Sequence, residues 1–127
     1  MATYNPNIST VLILLPVFYN PDANGVCAPI EDELYIQTAE EISMEFGGGT
    51  IQKFNPNPPI GFWWNRGILS KDVLAVLEVD VPDNQESREW LRKYLKEVLL
   101  ARFRQKAMYL KIVAPIETLE VSTEEVN

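Results

Sequence analysis

The chain of 127 residues is 46% hydrophobic and 23% charged, with a formal net charge of −7. That length suits one domain, and a chain of this size buries about two-thirds of its unfolded surface without needing staples. The composition excludes disorder, collagen and coiled coil, and the acidic balance argues against a general affinity for nucleic acid or anionic membrane, which takes a basic footprint.

Histidine is absent and Cys27 is the lone cysteine. An imidazole base, a histidine-held or all-cysteine metal site and an internal disulfide are therefore out of reach, and neither metal nor cofactor is expected. No Lys or Arg precedes Lys53, and the longest apolar run, Val11–Tyr19, is interrupted by Pro16. A signal peptide starts positive and a membrane helix needs about 20 apolar residues, so a cytoplasmic protein is expected.

Residues 1–9 read as an N-terminal extension. Val11 to Phe18 is apolar on both parities, as a central strand covered on both faces should be. Asn20 to Gly25 is a loop of turn-forming residues. Over residues 31–46, Tyr35, Ala39, Ile42 and Phe46 fall on one helical face, with Pro29 near the start and Gly47-Gly48-Gly49 as the stop. The glycine run follows a helix rather than opening one, so it reads as cap and turn and not as a phosphate loop.

Thr50 to Phe54 predicts an edge strand. After the Pro/Asn stretch 55–59, Gly61-Phe62-Trp63-Trp64, a turn at residues 65–67 and Ile68 to Lys71 predict an extended hairpin arm. Asp72 to Val81 is a second strongly apolar strand. A capping box from Asp83 to Glu86 opens a helix over 84–106, with Leu91, Tyr94, Leu95, Val98 and Leu99 as its buried stripe. Met108 to Ala114 is the last strand, and residues 116–127 read as a frayed acidic tail.

The element order β-α-β-β-α-β over residues 10–115 predicts a single α+β domain of ferredoxin-like type. Its antiparallel sheet has the order 4-1-3-2, with both helices on one face and the hairpin arm between the second and third strands. That order makes the two most apolar strands central. On the third strand Val73, Ala75, Leu77 and Val79 share one parity and should face the helices. Leu74, Val76, Glu78 and Asp80 then lie on the helix-free face, beside apolar residues of the first strand. Monomers rarely expose such a patch, so a homodimer is expected, sheet against sheet or through the arm.

The topology gathers the first loop, the arm and the end of the second helix at one end of the sheet. Tyr19, Asp22, Asn24, Cys27, Trp63, Trp64, Arg66, Arg104 and Lys106 belong to that end. Tyr19, Trp63, Trp64 and Arg66 are the candidate ligand- or partner-binding residues, because Trp, Tyr and Arg anchor interfaces. Glu78, a carboxylate on a central strand, is the weak catalytic candidate: desolvation there would raise its pKa. Asp22-x-Asn24-Gly25 lacks the remaining ligands of a calcium loop and reads as a turn. Cys27, with no histidine partner, reads as a small buried side chain.

The acids of the first helix and the bases of the second suggest mutual neutralisation across the helix pair. An RNA platform is excluded, since Val73 to Val81 has no aromatic residue on which to stack a base. Element order, the Gly61-Phe62-Trp63-Trp64…Gly67 hairpin and the closing Ile112-Val113-Ala114-Pro115 resemble the small bacterial ferredoxin-like and dimeric α+β-barrel proteins. That resemblance implies a homodimer. It brings an alternative to a binding or interaction protein: a cofactor-free enzyme acting on a small hydrophobic or aromatic molecule.

Overall fold

The computed structural model describes residues 2–4, 7–52, 60–65, 67–116, 119–121 and 123. The strands are β1 (Ala2–Tyr4), β2 (Ile8–Pro16), β3 (Thr50–Gln52), β4 (Ile60–Asn65), β5 (Ile68–Pro82), β6 (Leu110–Ile116) and β7 (Leu119–Val121). The helices are α1 (Asp32–Phe46) and α2 (Gln85–Tyr94), the latter continued by a π turn (Leu95–Leu99) and a last turn, α3 (Leu100–Arg102).

The main sheet runs β3-β5-β2-β6, antiparallel throughout. Counting only its four strands in chain order this is 2-3-1-4, which is 4-1-3-2 read from the other edge. The fold is therefore α+β of ferredoxin-like type. β5 and β2 are central because their apolar residues run on both parities.

Val11, Ile13 and Leu15 of β2 and Ala75, Leu77, Val79 and Val81 of β5 form one face of the core. Tyr35 and Ile42 of α1 and Leu91, Leu95, Leu99 and Phe103 of the second helical rod complete it. The parity expected for β5 is the one observed. On the opposite face Leu12, Leu14, Leu74 and Val76 stay half-buried, and Val113 is 50% exposed.

Four details differ from expectation, each for a local reason. First, the return strand of the hairpin arm and the third core strand are one continuous strand, β5. The polar Ser70, Lys71 and Asp72 break its apolar run but not its backbone, and β4 pairs along it from Ile60↔Val73 to Asn65↔Ile68. Second, β1 pairs with β7, from Ala2↔Val121 to Tyr4↔Leu119, so these stretches of the extension and the tail are ordered against each other. Third, β6 runs on through Pro115. The register with β2 shifts between Ile8 and Thr10, and this irregularity on an outer strand accommodates a residue that cannot donate. Fourth, the cap of α2 is Asn84, whose Oδ1 accepts from Ser87 N–H at 2.8 Å. Asp83 instead accepts from Arg88 at 2.7 Å. Asn84→Ala should cost about 1 kcal/mol, as cap removals do, read by urea denaturation. Asp83→Ala should cost less.

The π turn has a packing cause. Ser87, Leu91, Leu95, Leu99 and Phe103 are all buried at an unbroken spacing of four. Each such step overshoots a 3.6-residue turn by about 40°. One wider turn, closing i→i+5, takes back about two of these steps and returns Leu99 and Phe103 to the core. At the end of α1, Gly47 at φ +90° is the left-handed cap, and its N–H bonds to Ser43 O at 2.8 Å.

Candidate functional site

The loop after β2 folds back on itself. Tyr19 N–H donates to Ala28 O at 2.8 Å and Ile30 N–H to Val17 O at 2.9 Å. At its tip Asp22 Oδ1 accepts from the N–H groups of Asn24 (2.8 Å) and Val26 (3.0 Å). Asp22 is thus spent on an Asx turn. The second helical rod ends opposite this loop, where Arg104 takes a left-handed φ of +53°.

That turn lays the Arg104 guanidinium over the Tyr19 ring, 4.7 Å from its centroid. Tyr19 OH donates a hydrogen bond to Glu31 Oε2, at the start of α1. The phenol lowers the Glu31 pKa, with a smaller contribution from Arg104, and the carboxylate raises that of Tyr19. Beside this trio a cleft of about 190 Å³ is lined by Phe18, Tyr19, Cys27, Val73 and Gln105, among others. Tyr19→Phe should move the Glu31 titration back up toward the ordinary carboxylate range. Carboxyl chemical shifts followed against pH would show it, and an unmoved titration would mean that the phenol is not what holds Glu31.

The wall of the cleft is tied to the core. Tyr35 OH donates to Pro16 O at 2.5 Å, and burial pushes its pKa up to about 12. The Tyr35 ring meets Phe103 at a centroid distance of 5.5 Å.

Of the sequence-derived candidates, Tyr19, Cys27 and Arg104 come together at the cleft. By backbone register Trp63 and Trp64 lie farther out along the arm. Their register partners are Ser70 and Leu69, three and four residues out from Val73 along β5, or about 10–13 Å at about 3.3 Å per residue. The arm carries them outward from the same end of the sheet. Arg66 lies outside the described residues.

Cys27 is exposed, not buried: its loop is held by backbone bonds and turns this side chain outward. Glu78 is exposed too, on the helix-free face opposite Leu12 and Thr50. The buried setting that the general-base reading starts from is not the one found in the single chain. At the cleft the carboxylate with a partner is Glu31, which no sequence motif marks. Tyr19 and Glu31 twelve apart across a turn-rich loop are its only signal.

A second polar cluster ties the helices. Arg102 donates to both carboxylate oxygens of Glu41, at 2.6 and 3.0 Å, and to Thr38 Oγ1 at 2.9 Å. Tyr94 OH donates to Glu41 Oε1 at 2.7 Å. The expected neutralisation between the acidic and the basic helix is realised at this pair.

No protein-family model matches the chain, and no curated protein does either. Among solved structures the chain is similar to CutA from Synechococcus elongatus, with a TM-score of 0.58 over 93% of this chain and 85% of that one. Sequence identity is 9%, so the likeness shows the ferredoxin-like α+β fold and nothing of activity. Among the described residues no helix is long and apolar enough to cross a membrane.

Proposed function

We propose that this chain is a homodimeric binding and interaction module. Two copies pack through their helix-free sheet faces, assisted by the hairpin arms with Trp63, Trp64 and Arg66, and the cleft beside Tyr19 takes a small molecule or a partner side chain. The observation that carries this is the unequal burial of the sheet's two faces. Val11, Ile13 and Leu15 are 0% exposed against the helices, while their neighbours Leu12 and Leu14 remain half-buried on the other side.

Magnitudes say why the arm belongs in the contact. The nine residues of β2, residues 73–82 of β5, the three of β3 and the seven of β6, at about 3.3 Å per residue and about 4.8 Å between strands, offer a footprint of roughly 460 Å². A stable interface buries about 800 Å² per partner. The β4–β5 ribbon supplies further area, and a two-stranded ribbon standing alone in water is only marginally stable. Paired sheets of this kind would form the α+β barrel that the sequence resembles. An exposed Cys27 fits a reducing compartment such as the cytoplasm.

Leu14→Glu places a charge at the centre of the open face without touching the helix-side core. It should sediment as a monomer at concentrations where the parent chain is a dimer, with unchanged far-ultraviolet circular dichroism. Trp63→Ala and Trp64→Ala should weaken the dimer. A Leu14→Glu chain that still sediments as a dimer would remove the sheet face from the interface.

A further inference from the structure

The helix side of the molecule holds a groove that the dimer contact does not use. It runs between the second helical rod and β6, with a volume of about 480 Å³. Leu95, Leu100, Leu110 and Ile112 line it, and Arg88, Arg92 and Lys96 border it at successive helical turns. Arg88 is engaged by Asp83. Arg92 and Lys96 are exposed and have no ion-pair partner among the described residues. In a chain of net charge −7, two uncommitted cations beside an apolar floor are a local reversal of sign.

The groove also borders an open sheet edge. Among the described residues β6 pairs only with β2 on its long side. Leu14 N–H donates to Tyr109 O, so by the two-residue period of an antiparallel ladder Lys111 also turns its backbone groups to β2. The backbone N–H and C=O of Leu110 and Ile112 therefore face outward, at the two residues whose side chains line the groove.

Resting on the reading of this chain as an interaction module, we infer that the groove takes an extended acidic peptide of another protein, added as a strand along β6. Its side chains of one parity face the groove, apolar ones between Leu95 and Ile112 and acidic ones toward Arg92 and Lys96. A free edge gives main-chain hydrogen bonds and a lined groove gives side-chain selection. The acids of this chain's own α1 do not suit the site, because a helix has no free backbone groups along its length to offer a strand edge. Its own acidic strand β7 is already paired with β1.

The test uses two synthetic decapeptides on the intact chain, one with Val and Glu taking turns at every second position and Ser between them, the other with Lys in place of Glu, with binding followed by amide chemical shifts and titration calorimetry. The Glu peptide should bind, shift signals over 108–113 and 88–100, and weaken with added salt. The Lys peptide should not bind. The double variant Arg92→Glu/Lys96→Glu, changed only at exposed positions, should lose about tenfold in affinity, in keeping with rim charges that govern association. Ile112→Pro, which removes one outward N–H and no bond to β2, should lose binding as well.

Equal binding of both peptides, undiminished binding by the charge-reversed chain, or shifts confined to the Tyr19 cleft would overturn the inference. So would a change of sedimentation in the charge-reversed chain without peptide, since a second copy would then occupy the groove. The dimer reading stands or falls separately, on Leu14→Glu.

Discussion

Phe103→Ala should destabilise the chain by about 3–5 kcal/mol, the usual cost of deleting a buried phenyl ring. Phe103 is 0% exposed and stands where the second helical rod ends. Its ring meets Tyr35, and Tyr35 in turn holds the end of β2 through Pro16 O. The cavity would therefore open beneath the cleft. Urea denaturation should show the loss of stability. The Arg104–Tyr19 stack should loosen with it, seen as changed Tyr19 ring shifts in the still-folded chain. A loss below about 1 kcal/mol would mean that the site collapses freely and that Phe103 does not position the loop end.

Arg102→Ala is the second large effect. The Arg102 side chain is 10% exposed and that of Glu41 36%. Breaking a well-buried pair costs about 3–5 kcal/mol, but water reaches Glu41 and screens the orphaned carboxylate, so about 2 kcal/mol at neutral pH is expected. The pH dependence follows from the direction of the Glu41 shift. The Arg102 hydrogen bond lowers its pKa, burial opposes this, and Tyr94 OH lowers it further.

A carboxyl whose folded pKa lies below its unfolded value adds stability above the unfolded pKa and loses it as pH falls through the folded one. The gap between parent and Arg102→Ala should therefore be widest at neutral pH and close below the ordinary carboxylate range. Glu41→Gln should show the same loss at neutral pH with little left to titrate. A gap that stayed constant into acid would assign the Arg102 effect to the packing of its aliphatic stem rather than to the pair.

Sheet order and core parity were legible because β2 and β5 carry apolar residues on both parities, which only central strands can bury. The helix of residues 31–46 was legible from Tyr35, Ala39, Ile42 and Phe46. The π turn was also legible, in the unbroken four-residue spacing from Ser87 to Phe103, but reading an ordinary helical stripe hides it. Asp83 and Asn84 are both good caps, and nothing local chooses between neighbours. β1 and β7 are three-residue strands whose pairing is set by the β2–β6 ribbon that they extend, not by their own residues. The Tyr19–Glu31–Arg104 cluster depends on the left-handed turn at Arg104, which no spacing in the chain foretells. The exposure of Cys27 is not legible, because the lack of a histidine partner says nothing about burial and the loop is held by backbone hydrogen bonds that leave even Val26 59% exposed.

In the proposed dimer a second copy covers the helix-free sheet face. Native mass spectrometry of the intact chain at about 10 micromolar, without denaturant, weighs that particle. A species of about 29 kDa, twice the 14.5 kDa chain, is expected. A lone 14.5 kDa species persisting at tenfold higher concentration would contradict it, and Leu12, Leu14, Leu74 and Val76 would then lie open to solvent in a monomer.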